Sequence, residues 1–134
     1  MPGVLVDSNV LLDVMTEDPI WFEWSSAALA QAAETEILVI NPLIYAEVSV
    51  RFERIEELDA ALPPDLFRRD GLPWEAGFLA GKCFSLYRRR GGTRRSPLPD
   101  FYVGAHAAIR RHVLLTRDGT RYRSYFPTLE LISP

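Results

Sequence analysis

The chain has one cysteine, Cys83, and one lysine, Lys82, among its 15 basic residues, and its only histidines are His106 and His112. A lone thiol excludes an internal disulfide framework and fits a reducing compartment. The two histidines have neither the spacing nor the cysteine neighbours of a zinc motif. Long apolar runs are missing too. Val4-Leu5-Val6 and Ile37-Leu38-Val39-Ile40 fall far short of the ~20 residues that cross a bilayer, so no membrane association is expected. No basic segment followed by a long apolar one opens the chain, which argues against a secretory signal and for the cytoplasm. With 134 residues there is room for one domain, spanning 1–134, over one core; no repeat or linker interrupts it.

Hydrophobic residues make up 48% of the chain and mean hydropathy is near zero, as in a soluble globular protein. The net charge of −3 conceals an uneven distribution. Arginines crowd into Arg88-Arg89-Arg90-Gly91-Gly92-Thr93-Arg94-Arg95. The planar guanidinium suits phosphate better than an ammonium does. This segment is therefore either a solvated turn between helices or a grip for a polyanion.

Short apolar strands alternate with helices. Val4-Leu5-Val6 is followed by a helix capped by Asp7-Ser8-Asn9, and a second helix carries Trp21, Phe22, Trp24, Ala28, Leu29 and Ala32. Ile37–Ile40 is a second strand. Asn41-Pro42 then starts a helix expected to run to Leu62, with Ile44, Val48, Phe52, Ile55, Leu58 and Leu62 as its buried stripe. A helix from Trp74 carries Gly77 and Gly81 one turn apart, a spacing that would allow a neighbouring backbone to come close. Pro97-Leu98-Pro99-Asp100 opens an Ala-rich helix ending near Arg111. Val113–Thr116 and Leu129–Ile132 complete the strands. Continuous apolar strands between helices predict an α/β fold, a three-layer α/β/α sandwich around a mostly parallel sheet.

Sites in open parallel sheets form beyond the carboxyl ends of the strands. Asp7 directly follows the first strand, and Asp118 comes just after Val113–Thr116. Asp100 lies in the first turn of its helix, where the dipole favours an anion. Glu47 borders an apolar stripe, where an unpartnered charge is costly. Each also has a plain structural role open to it, as helix cap, first-turn acid or turn residue. If all four converge, their repulsion calls for a cation, and a carboxylate set with few His or Cys suits Mg²⁺ or Mn²⁺ rather than zinc. Asn9 and Thr116 are placed to hydrogen-bond a ligating carboxylate or a phosphate. Arg88, Arg89, Arg90, Arg94, Arg95 and Arg117 are placed to bind a nucleic-acid backbone. His106 and His112, in or just after the Ala-rich helix, read as structural rather than catalytic, and Cys83 as helix packing. Trp21, Trp24 and Trp74 read mainly as core residues, with an interface role open to them.

These residues together resemble the PIN-domain ribonucleases. The resemblance lies in Val4-Leu5-Val6-Asp7-Ser8-Asn9-Val10-Leu11-Leu12, in Glu47 early in a helix, in Pro99-Asp100 at an Ala-rich helix, and in Leu114-Leu115-Thr116-Arg117-Asp118 leading through Tyr122–Pro127 to a last strand. It covers nearly the whole chain and is nearest to the VapC-type toxins of type II toxin–antitoxin pairs. Pro63–Trp74 and the arginine segment match less well.

The resemblance implies a Mg²⁺- or Mn²⁺-dependent RNA endonuclease that forms homodimers and is held inactive by a cognate antitoxin protein. The family's four acids carry over onto Asp7, Glu47, Asp100 and Asp118, and its small polar positions onto Asn9 and Thr116. The competing expectations are a nuclease of RNA maturation or decay, and a module that binds RNA or a partner without cutting. Phosphoryl transfer through an aspartyl-phosphate fits worse. It wants a second Asp where Asn9 stands and a lysine near the sheet edge, whereas Lys82 is mid-helix.

Overall fold

Three short runs of Val, Leu and Ile form the middle of a parallel sheet, and helices on both sides bury them. The computed structural model describes residues 1–134. In chain order the elements are β1 (Val4–Val6), α1 (Ser8–Met15), α2 (Phe22–Thr35), β2 (Leu38–Ile40), α3 (Pro42–Ser49), α4 (Ile55–Ala61), β3 (Phe67–Arg69), α5 (Trp74–Arg89), α6 (Pro99–Arg110), β4 (Val113–Leu115), α7 (Thr120–Tyr125) and β5 (Leu131–Ile132). The sheet order is β3-β2-β1-β4-β5, with every pairing parallel. This is the expected α/β/α arrangement. No helix is long and apolar enough to cross a membrane.

Every residue of β1 and β2 is buried, as is most of β4, which explains why these segments are apolar without alternation. Each fully buried Val, Leu or Ile contributes about 1.5–3 kcal/mol relative to exposure. From β1 the chain proceeds to β2 and β3 in one direction, then returns past β1 to β4 and β5 in the other. Right-handed crossovers then put the two sets of helices on opposite faces. The direction reverses between β1 and β4, and sites in such sheets form beyond the carboxyl ends of the strands at this point. Val6 pairs with Leu115 there, and the Asp7 amide donates to the Leu115 carbonyl at 2.8 Å.

Three expectations are corrected. The helix from Pro42 does not continue to Leu62; it stops at Ser49, and α4 restarts at Ile55. The Ser49 hydroxyl donates back to the Ala46 carbonyl at 2.6 Å, which competes with the helical ladder next to β-branched Val48 and Val50. Ile55, assigned to the buried stripe, is 62% exposed. Second, the stretch after Pro63-Pro64 contains a strand, β3, which pairs with β2 at the sheet edge. Third, Gly77 and Gly81 face open space rather than a packed helix, and Trp74 beside them is 93% exposed instead of core. Trp21 and Trp24 are half-buried.

Glycine is required at position 104. A Cβ there would run into the Phe126 ring, so the small residue lets Phe126, just past α7, seat against α6. This contact brings α7 alongside the acid at the start of α6.

Candidate active site

The local sequence sets the geometry of Asp7. It caps α1 with extended backbone, and its carboxylate accepts the Ser8 amide at 2.8 Å. The other carboxylate oxygen accepts the Thr116 hydroxyl at 2.9 Å and the Tyr122 hydroxyl at 3.0 Å. Asp7 is 5% exposed. Burial, with the nearby Asp100 charge second, pushes its pKa from 3.8 up to about 6 against the opposing pull of these hydrogen bonds.

Glu47 reaches the same place from α3. Its carboxylate accepts the Ser8 hydroxyl at 3.2 Å, and it is half-buried. Burial and the Asp100 charge raise its pKa. Asp100 follows Pro99 in the first turn of α6. One of its oxygens accepts the Tyr122 hydroxyl at 3.3 Å and the other Arg121 Nη1 at 3.3 Å. The structure thus joins Asp7, Glu47 and Asp100 into one acidic cluster at the reversal point, with the Arg121 guanidinium the only cation bonded to it.

Asp118 is tied in through its backbone. Its amide donates to Thr116 Oγ1 at 3.2 Å, while its exposed carboxylate accepts only the Thr120 amide, at 3.4 Å. Asn9 and Thr116 lie between these acids. Asn9 donates to the Thr116 hydroxyl at 3.2 Å and accepts the Arg117 amide at 3.3 Å. Thr116 therefore receives Asn9 and Asp118 and passes its own proton to Asp7.

Arg117 plays a part that its place in the sequence does not reveal. Its Nε donates to Asp13 at 2.8 Å, and its guanidinium lies 5.6 Å from the Trp21 ring centroid. Asp13 is 2% exposed and also takes the Ser25 hydroxyl at 2.8 Å. Removing Arg117 leaves the buried Asp13 carboxylate with only the Ser25 hydroxyl, so Arg117→Ala is expected to cost about 1–3 kcal/mol in a denaturant melt. A residue that served only to contact RNA would change stability by under about 0.5 kcal/mol.

The arginine segment lies between α5 and α6, directly before the Pro99-Asp100 corner. Arg88, Arg89, Arg90, Arg94 and Arg95 are all exposed, and no ion pair involves them. Gly91, at φ 94°, supplies the left-handed turn that folds the segment back. Arg88 bonds the Arg94 carbonyl at 2.9 Å, and Arg90 bonds the Ser124 hydroxyl at 3.1 Å and packs over Tyr125. The segment is thereby held against α7, the helix that carries Tyr122.

A second group of metal-ligand type comes together elsewhere. Asp70, His106 and His112 each bring one ligand atom within 4.8 Å of the others. The spacing of the two histidines gave no sign of this, because Asp70 comes from a distant part of the chain. By residue type the group is a candidate metal site, but its hydrogen bonds oppose one. The Gly3 amide donates to His112 Nδ1 at 2.9 Å, which leaves the proton on Nε2, facing Asp70 at 3.3 Å. Asn41 Oδ1 caps the Ile44 amide at 2.9 Å, so its NH₂ is what meets His106 Nδ1 at 3.0 Å. Arg68 already holds Asp70 by two bonds, at 2.9 and 3.1 Å. A cation on His112 would have to displace one of these donors; His106 Nε2 is buried without a hydrogen-bond partner, and could meet a cation only by moving its proton to Nδ1, against the Asn41 NH₂. Burial pushes the His106 pKa down to about 4 and lowers that of His112, so both rings are neutral at pH 7.

The acidic cluster fits a divalent ion better. Its donors are carboxylate and hydroxyl oxygens, the set that suits hard cations. Tyr122 is the residue that sequence reading missed here. It is 1% exposed and bonds acids that lie 115 and 22 positions away. Burial pushes its phenol well above the ordinary value, so it remains a proton donor.

No family model and no curated protein sequence matches the chain. Solved structures do. A chain of VapBC2 from Rickettsia felis, bound to a DNA fragment from the complex's promoter, superposes with a TM-score of 0.73 at 15% identity, covering 98% of both chains. VapBC-1 from nontypeable Haemophilus influenzae gives 0.72 at 16% identity, covering 97% of this chain and 96% of that one. FitAcB from Neisseria gonorrhoeae gives 0.67 at 16% identity, covering 96% of each. At such identities the likeness establishes the fold, and the fold is the PIN-like one that the sequence resemblance led us to expect.

Proposed function

We propose that this chain is a Mg²⁺- or Mn²⁺-dependent RNA endonuclease and the toxin partner of a toxin–antitoxin pair. The observation that carries the proposal is the union of Asp7, Glu47 and Asp100 at the sheet's reversal point, with Asp7 pushed to about 6 by burial and by Asp100. Packing carboxylates together is unfavourable unless something offsets their charge, and a divalent cation does so.

Asp7 and Asp100 would hold the ion directly, with Glu47 and Asp118 beside them to reach it directly or through water. A bound ion acidifies a water and stabilises charge on the phosphoryl oxygens. Thr116 and Asn9 keep the Asp7 carboxylate turned toward the ion. Arg121 is placed to leave Asp100 for a phosphate oxygen when substrate arrives.

The arginine segment binds the flanking RNA backbone. Replacing Arg88, Arg89, Arg94 and Arg95 with alanine is expected to flatten the dependence of log affinity on log salt by about 0.7 for each phosphate that is no longer neutralised. A filter-binding titration at several salt concentrations checks this, and an unchanged slope would remove the segment from the interface. The toxin role, with an antitoxin partner, draws its support from the solved neighbours, VapBC complexes and a toxin–antitoxin complex from Klebsiella pneumoniae. Exposed Trp74 and Phe78 on α5 give a homodimer an apolar surface. The proposed place of action is the cytoplasm, where RNA and antitoxin are both present.

The test is incubation of purified protein with total RNA in Mg²⁺, Mn²⁺ or EDTA. Cleavage that needs the metal supports the reading. An intact fold that binds RNA without cutting it would favour the binding-module alternative.

A further inference from the structure

We infer that Tyr122 is a positioning residue for the metal site, its hydroxyl deciding which oxygens of Asp7 and Asp100 are presented to a divalent cation. The inference rests on the nuclease reading of the same cluster.

Counting lone pairs at Asp7 makes the case. A carboxylate oxygen accepts about two hydrogen bonds. Asp7 Oδ1 takes the Ser8 amide at 2.8 Å, and Oδ2 takes the hydroxyls of Thr116 at 2.9 Å and Tyr122 at 3.0 Å. Oδ2 is filled and Oδ1 keeps one lone pair. Asp7 therefore meets a cation through a single oxygen, Oδ1, and Tyr122 is one of the two groups that close off the other.

Tyr122 has one proton and two acceptors. The bond to Asp7 is the shorter, 3.0 Å against 3.3 Å to Asp100 Oδ1. With the proton on Asp7, the phenolic oxygen turns a lone pair toward Asp100 Oδ1. Arg121 meanwhile holds the opposite oxygen, Oδ2, at 3.3 Å. Asp100 Oδ1 thus faces the cluster with only the longer contact to that shared hydroxyl, and a cation would supply the missing positive charge.

Packing alone does not explain the hydroxyl. A phenylalanine ring would fill the same buried volume against α6, and burying a hydroxyl is unfavourable unless it finds partners. Its partners here are one oxygen of each acid proposed to hold the ion directly. Groups that orient metal ligands in this way are worth about 10–100-fold in affinity or activity.

The experiment compares wild type with Tyr122→Phe in Mn²⁺ binding, measured from the electron paramagnetic resonance signal of free Mn²⁺. A thermal melt in EDTA first verifies that the variant is folded. The expected result is Mn²⁺ affinity weakened by about 10–100-fold, and RNA cleavage that is lost at low Mn²⁺ but regained at high Mn²⁺. A folded variant with wild-type Mn²⁺ affinity would overturn the role of Tyr122 and leave the nuclease reading standing. A wild-type protein that binds no Mn²⁺ would overturn both.

Discussion

Asp7→Asn is expected to lower metal-dependent RNA cleavage by about two to three orders of magnitude while leaving the chain folded. Stabilisation by a bound metal is worth several kcal/mol, and each ~1.4 kcal/mol is tenfold in rate. The amide keeps the shape of the carboxylate, and its oxygen can still accept the Ser8 amide that now caps α1 at 2.8 Å. Its NH₂ meets Tyr122, whose hydroxyl can accept it and turn its own proton to Asp100, while Thr116, already accepting from Asn9 and Asp118, loses the acceptor for its proton. What disappears is the charge that binds the ion. Single-turnover cleavage at saturating Mg²⁺, with a melt alongside, measures the effect. A variant that cuts like wild type would mean that Asp7 is a helix cap and nothing more.

In EDTA, the stability of wild type relative to Asp7→Asn should fall by about 3 kcal/mol as pH rises from 4 to 7. The Asp7 pKa rises from 3.8 in the unfolded chain to about 6 in the fold. Between those values the native state holds the proton more tightly, so the unfolded state binds fewer protons and stability falls as pH rises. The contribution is fully present below pH ~4, is lost through pH ~6 and stays flat above; at about 1.4 kcal/mol per pH unit the interval amounts to about 3 kcal/mol. Glu47, also raised by burial, adds to the same slope. His106 and His112, whose pKa values are lowered by burial, gain stability over the same window, so the Asp7 effect is read as the difference between wild type and Asp7→Asn, in which the histidines cancel. Urea melts of both proteins at several pH values should show this difference develop between pH 4 and 6. Asp7→Asn would then be more stable than wild type at pH 7 without metal, and a divalent ion should restore the wild type selectively. A difference that does not change with pH would mean that the cluster is not under electrostatic strain.

The central strands were legible because burial on both faces leaves a mark in every residue. Val4–Val6, Leu38–Ile40 and Val113–Leu115 are apolar throughout. β3 left no such mark. Phe67 is its only buried residue, since an edge strand needs little apolar surface and its pairing with β2 is decided at long range. The break after Ser49 was hidden because an apolar stripe with helical spacing continues across it. Asp7, Glu47 and Asp100 could be read from their places at strand and helix ends, where chain direction and dipole make anions useful. Tyr122 and Asp13 could not. The first acts through a hydrogen bond across 115 positions and the second through an ion pair across 104, and neither leaves a local pattern. Arg117 looked like one more phosphate ligand because nothing in Thr116-Arg117-Asp118 points to Asp13.

The central claim is that the divalent ion sits among Asp7, Glu47 and Asp100, and anomalous diffraction from crystals grown with Mn²⁺ tests it most directly. The account predicts a single strong peak in contact with Asp7 Oδ1 and Asp100, on the side of the cluster that Tyr122 leaves open. A peak among Asp70, His106 and His112 instead, or no ordered peak at saturating Mn²⁺, would contradict it.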